Sequence, residues 1–258
     1  MTHIVAGYPS LEESFDVALL MAESGVSYIE IQIPFSDPVA DGPTIMQANQ
    51  EALERGVKVE DCFLLMERLR NEFFKRGFET ELLFMTYFNI VHKFGVREFC
   101  KRAKEVGCYG LIVPDISIDE SQERFSESCK EFGLKNILVV SPLTSEERLK
   151  RLAGVAEGFV YCVSRYGTTG ASNSMGDLGK YLERVRRFFN LPLAVGFGIS
   201  SKEQVAAVHQ HAEIAVIGSK VINVMRESGI EGVREFLKVS GGEGGIRTPA
   251  GTYIPLQD

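Results

Sequence analysis

What this chain of 258 residues lacks narrows it first. No apolar run reaches the roughly 18 residues of a membrane span, and the first residues do not have the layout of a signal peptide. Cys62, Cys100, Cys108, Cys129 and Cys162 form no C-x-x-C pair, so neither a disulfide framework nor a zinc knuckle is indicated. They read as buried thiols of a reducing compartment, and the expected location is the cytoplasm. Histidine is scarce: His3, His92, and the H-x-H pair His209 and His211, which has no third ligand candidate nearby, so no metal is expected. Positive charge is also in deficit, 28 Lys and Arg against 35 Asp and Glu for a formal charge of -7. That balance argues against nonspecific binding to nucleic acid or anionic membranes, and any anionic ligand must be held by local groups.

What is present is a strict alternation of strand and helix. With 45% apolar and 24% charged residues the chain can bury a sizeable core without an external staple. Residues 4–7 look like the tail of a strand that runs out at Gly-Tyr-Pro, and Ser10 caps a helix through about Glu23. Strand patterns follow at 28–33, 82–85, 109–113, 136–140, 158–163, 193–195 and 214–217. Helical patterns separate them at 43–52, 60–75, 96–105, 120–132, 145–152, 175–189 and 203–210, with a last segment at 232–239. Eight βα units predict an α/β chain closed into a (βα)8 TIM barrel, although a doubly wound open sheet has a similar string. Short strands of similar length, with distinctive polar residues just past their C-terminal ends, favour the barrel. Residues 1–239 are expected to be one catalytic domain, with little chain before the first strand to cover the barrel bottom. The Gly-rich stretch 240–258 is expected to be a disordered tail.

The stretch Tyr28 to Thr44, Y-I-E-I-Q-I-P-F-S-D-P-V-A-D-G-P-T, is the most informative. Ile29, Ile31 and Ile33 share one face of the strand and Glu30 and Gln32 the other. Pro34 then ends the strand, and a loop with Asp37 and Asp41 leads to the Gly42-Pro43 start of a helix. A solvated edge would explain Glu30, but an acidic residue near a strand end, followed by a long polar loop, is where α/β enzymes keep catalytic groups. Glycine turns after the last two strands, Gly196-Phe197-Gly198-Ile199-Ser200 and Gly218-Ser219-Lys220, let the backbone approach a ligand next to helix starts. Barrels frequently hold phosphate at this place. The long loop Ser164 to Ser174 is either a plain connection or a lid over substrate.

Taken together, A-G-Y-P, E-I-Q-I-P-F-S-D-P-V-A-D-G-P-T, M-T-Y-F-N, G-L-I-V-P-D, S-P-L-T-S-E-E-R-L, Y-C-V-S-R-Y-G-T-T-G, G-F-G-I-S-S and I-G-S occur in an order that resembles the tryptophan synthase α-subunit family over nearly the whole chain. The resemblance implies a TIM-barrel lyase of tryptophan biosynthesis that cleaves indole-3-glycerol phosphate to indole and glyceraldehyde 3-phosphate. It implies no cofactor in this chain, and a β-subunit partner in an α2β2 complex that carries pyridoxal phosphate. By the same resemblance Glu30 stands at the general acid/base and Asp41 at the carboxylate that meets the indole N–H. Tyr161, Gly170, Phe197, Gly198, Gly218 and Ser219 match phosphate and indole contacts. Met85, Tyr87 and Ile112 match pocket-lining positions, and Asp37, Pro38 and Asn89 match positions that communicate with the β subunit.

Three residues depart from the family pattern. Gln32 stands where the family has glycine, Ile90 where proline is frequent after Tyr-x-Asn, and Ser117 where proline is usual in P-D-x-P. Gln32 shares the face of Glu30, so the substrate itself is open to change. The alternatives are a phosphate-binding barrel lyase or isomerase of altered substrate, and a mainly regulatory chain that activates a β partner.

Overall fold

The computed structural model describes residues 1–116, 120–163, 175–196 and 198–241. Among these residues eight parallel strands run in sequential order: β1 Thr2–Val5, β2 Tyr28–Gln32, β3 Glu81–Met85, β4 Gly110–Ile112, β5 Lys135–Val140, β6 Val160–Val163, β7 Leu193–Gly196 and β8 Ile214–Val216. Closure comes from Ile217, which bridges Thr2 and accepts a hydrogen bond from the His3 N–H at 3.1 Å. The sheet is a TIM barrel. Helices cover it: α1 Leu11–Glu23, α2 Pro43–Glu54, α3 Val59–Arg76, α4 Phe88–Phe94, α5 Val96–Glu105, α6 Glu120–Phe132, α7 Glu146–Ala153, α8 Met175–Arg186, α9 Lys202–His209 and α10 Ser219–Gly241.

Local chemistry fixes the helix starts. Ser10, Ser145 and Ser201 each accept a backbone N–H three residues on, satisfying a donor that the first turn leaves unpaired. Pro43 opens α2, where its missing N–H costs nothing. The period-two pattern of β2 then separates two layers. Ile29, Ile31 and Ile33 pack outward against the helices, while Glu30 and Gln32 point into the barrel. Much of the rest of the inner layer is apolar, with Leu83, Met85, Ile112, Ile137, Phe159, Ala194 and Val216. Burial of each large side chain in these layers contributes about 1.5–3 kcal/mol, so the walls are rigid mounts for the few polar residues among them.

Besides shifts of a few residues at element ends, such as β6 beginning at Val160 and α8 ending at Arg186, the structure differs from the sequence reading in larger ways. The first strand begins at Thr2 and so includes His3. The segment after Tyr87 is a helix, α4, which is two turns long and is cut off from α5 by Gly95 at φ +96°. Helix α10 starts at Ser219, within the second glycine turn and well before the segment at 232–239 read from the sequence, and Gly229, at φ 62°, kinks it. Of the stretch 240–258 expected as a disordered tail, 240 and 241 instead continue helix α10, and 242–258 lies outside the described residues, as does Ser117.

Candidate active site

The inward polar face of β1 and β2 carries three buried polar residues, His3, Glu30 and Gln32. In the parallel register His3 lies opposite Glu30, with Nδ1 3.4 Å from Oε1, an ion-pair separation. Both side chains are about 5% exposed or less. Burial works against a charged imidazole, but the Glu30 carboxylate outweighs it, with Asp41 and Gln32 adding, and the net effect raises His3 above its ordinary value.

Asp41 belongs to the loop after β2, which folds back over the strand end. The turn is held by the Asp41 N–H on the Pro38 carbonyl at 2.9 Å and by the Ala40 N–H on the Tyr87 hydroxyl at 3.1 Å. Tyr87 in turn donates its O–H to Asp41 Oδ2 at 2.9 Å, and Gln32 donates Nε2–H to the same oxygen at 2.7 Å. Burial raises the Asp41 carboxyl above the usual range, against the pull of these two hydrogen bonds, and the Glu30 charge adds to the rise. Phe35 stacks on Tyr87 at 5.1 Å, and its N–H is taken by Asn49 Oδ1 at 2.9 Å, so the loop is anchored at both ends. Gln32 therefore has a structural role, since its side chain clamps Asp41.

Buried polar atoms without a protein partner collect at this mouth. Among the described residues five side chains have one, and three of these are His3 (Nε2), Glu30 (Oε2) and Gln32 (Oε1). An unsatisfied buried polar group costs about 1–3 kcal/mol, which marks the place where a polar ligand is favoured.

Across the barrel, Tyr161 on β6 packs with the inner layer, and its hydroxyl and ring lie 3.3 Å from where a side chain at Gly196 would begin. Burial, then the charges of Glu30 and Asp41, raise the Tyr161 phenol well above its ordinary value. It is thus a neutral donor facing the same mouth. Gly198 adopts φ 64°, a left-handed conformation that glycine enters without strain. Ser219 begins α10, whose first N–H groups lack partners within the helix and favour an anion. A side chain at Gly218 would begin 3.7 Å from the His3 Cβ, so this glycine turn adjoins the His3 and Glu30 wall.

Met85 and Ile112 are buried and pair across β3 and β4, with Met85 also opposite Gln32. On the rim, Asp37 and Asn89 are exposed and Pro38 is buried beneath them in the loop. Beside them Val39 is 82% exposed. Gly170, Phe197 and the loop Ser164 to Ser174 lie outside the described residues.

A family model described as tryptophan synthase alpha chain matches residues 1–240. The chain belongs to the tryptophan synthase alpha chain family. It is 41% identical over 239 residues to the tryptophan synthase alpha chain of Syntrophotalea carbinolica, covering 92% of each chain. To that of Desulfotalea psychrophila it is 44% identical over 238 residues, covering 92% of this chain and 91% of the relative. Among solved structures it is similar to Mycobacterium tuberculosis tryptophan synthase, with a TM-score of 0.82 and 30% identity, covering 93% of this chain and 90% of that one. A variant of the alpha-subunit from Pyrococcus furiosus gives 0.82 and 32%, covering 93% and 96%. The chain is accordingly a lyase of tryptophan biosynthesis that cleaves indole-3-glycerol phosphate to indole and glyceraldehyde 3-phosphate. Neither a lyase or isomerase of altered substrate nor a mainly regulatory chain is favoured by this family membership.

The described structure brings Glu30, Asp41, Tyr87, Met85 and Ile112 to one mouth, with Tyr161 and Gly218 bordering it. His3 was not among the residues singled out by sequence. The signal lay in T-H-I-V, where His3 and Val5 occupy the face opposite to Ile4 and Ala6, but only the register against β2 pairs it with Glu30.

Proposed function

We propose that this alpha chain performs its cleavage with Glu30 as general acid/base and Asp41 as the carboxylate that stabilises the indole N–H. The observation that carries this reading is the different fate of the two carboxylates. Glu30 keeps one buried oxygen unpartnered, while Asp41 is clamped through Oδ2 by Gln32 and Tyr87. The first is suited to exchanging protons, and the second to standing still as a charge.

The chemistry requires both. A proton is added at indole C3, and positive charge develops at the ring nitrogen, where Asp41 accepts the N–H. The bond from C3 to the glycerol chain then breaks, its electron pair returns to the ring, and the chain leaves as the aldehyde while its hydroxyl loses a proton. Glu30 supplies the first proton and takes the second, so no net proton is consumed. In this reading Gly198, Gly218 and Ser219 hold the phosphate, with Gly170 and Phe197 completing the substrate contacts. Tyr161, Tyr87, Met85 and Ile112 line the pocket. Three or four hydrogen bonds to a charged phosphate supply roughly 5–10 kcal/mol of anchoring away from the reacting bond.

Residues 1–239 act as one catalytic domain, and Asp37, Pro38 and Asn89 face a tryptophan synthase β subunit in an α2β2 complex. The exposure of Val39 and Asn89 on the same rim supports a protein contact there. Pyridoxal phosphate belongs to the β partner. A cytoplasmic location is supported by the five cysteines, all buried and free. No helix among the described residues is long and apolar enough to cross a membrane. The reading is tested by indole release, with and without a β subunit, from the parent chain, Glu30→Gln and Asp41→Asn. Near-normal release by either variant removes that residue from the mechanism.

A further inference from the structure

The mechanism above leaves one buried titratable group at the mouth unused, and that group touches the proposed acid/base. We propose that His3 is a positioning residue for the cleavage: its Nδ1–H holds Glu30 Oε1 against the barrel wall and leaves Oε2 as the oxygen that exchanges protons with substrate. The inference rests on the reading of Glu30 as general acid/base and extends it to a residue on another strand.

Geometry fixes the pair before any charge is considered. His3 and Glu30 are opposite one another in the β1 and β2 register, and the His3 N–H is tied to the Ile217 carbonyl at the barrel closure. Neither side chain has freedom to leave, since each is almost fully buried. A carboxylate buried here with two unpaired oxygens would be costly, and an imidazolium partner removes half of that cost.

A pair serving stability alone would satisfy its polar atoms all round. This one leaves Oε2 on Glu30 unpartnered, as expected of a pair completed by a ligand. The charged and polar groups near it are Glu30 and Gln32 on β2, Asp41 on the following loop, Tyr161 across the barrel and the Met1 amino group at the start of β1. On the β8 side the neighbour is the backbone of Gly218. Glu30, Asp41 and Gln32 all favour the protonated imidazole, so His3 stays charged to a higher pH than an ordinary histidine and loses its proton as pH rises through that raised value.

The test combines kinetics with a direct titration, all on the full chain. In His3→Gln, kcat for indole formation should fall roughly 10- to 100-fold with KM changed less than about threefold, because substrate anchoring is untouched. The alkaline limb of the parent kcat profile, where His3 loses its proton, should be absent from His3→Gln and from His3→Phe. Nitrogen-15 NMR of the His3 ring should show its titration moved to lower pH in Glu30→Gln, a readout that needs neither activity nor a folded His3 variant. The inference is overturned if the His3 titration is unmoved in Glu30→Gln, or if His3→Gln keeps the height and shape of the parent profile while Glu30→Gln is inactive. A fully active Glu30→Gln instead overturns the underlying reading of Glu30, so the two failures are distinguishable.

Discussion

The Gln32 carboxamide donates to Asp41 Oδ2 at 2.7 Å, joining the strand that carries Glu30 to the loop that carries the second carboxylate. Tyr87 donates to the same oxygen at 2.9 Å, so Asp41 is held from two strand ends at once.

If the clamp matters, Gln32→Leu should weaken it without emptying the barrel. A hydrogen bond to a charged acceptor is worth about 1.5–3 kcal/mol, and with Tyr87 still in place a fall in kcat of roughly tenfold is expected. The lost donor also raises Asp41 further, because Gln32 pulls its carboxyl down. The acid limb of the kcat profile should therefore move to higher pH. An unmoved limb would show that the Gln32 contact is incidental.

Asp41 yields a linked prediction on stability. Burial raises its folded-state value above the ordinary one, so the folded chain binds the proton more tightly than the unfolded chain does. The ionised form thus costs stability, and the cost appears as pH rises from the ordinary carboxylate value through the raised one. Asp41→Asn, which keeps an oxygen to accept from Gln32 and Tyr87, should melt no lower than the parent at pH 8 while releasing indole far more slowly. A clear loss of Tm at pH 8 would contradict this assignment of the cause.

Barrel integrity depends on a close approach between β4 and β5. A side chain at Gly110 would begin 2.5 Å from the Lys135 carbonyl oxygen, which is backbone and cannot rotate away. Gly110→Ala is expected to destabilise by roughly 2–3 kcal/mol through overpacking. For a chain of this size that lowers Tm by about 4–10 °C. Calorimetry that finds an unchanged Tm would mean that the strands separate at little cost.

The barrel was legible because its signals are local: period-two strands, serine caps and glycine stops recur along the chain. Glu30 and Asp41 stood out for the same reason, a carboxylate on an otherwise apolar strand and another on the loop that follows. His3 was not legible, since its meaning comes from a parallel partner 27 residues away whose register no local pattern states. The clamp on Asp41 was hidden likewise, because it joins Gln32 to Tyr87 of another strand end through a loop that doubles back. Helix α4 is too short for periodicity to build up, and the start of α10 was masked by Gly218-Ser219-Lys220, which serves at once as turn and helix start.

The central claim is the role of Glu30, and the most direct measurement is the rate of indole formation from indole-3-glycerol phosphate by Glu30→Gln, with glycerol phosphate affinity measured alongside. The account predicts a loss of at least roughly 100-fold in kcat with glycerol phosphate affinity unchanged. Cleavage within a few-fold of the parent rate would contradict it.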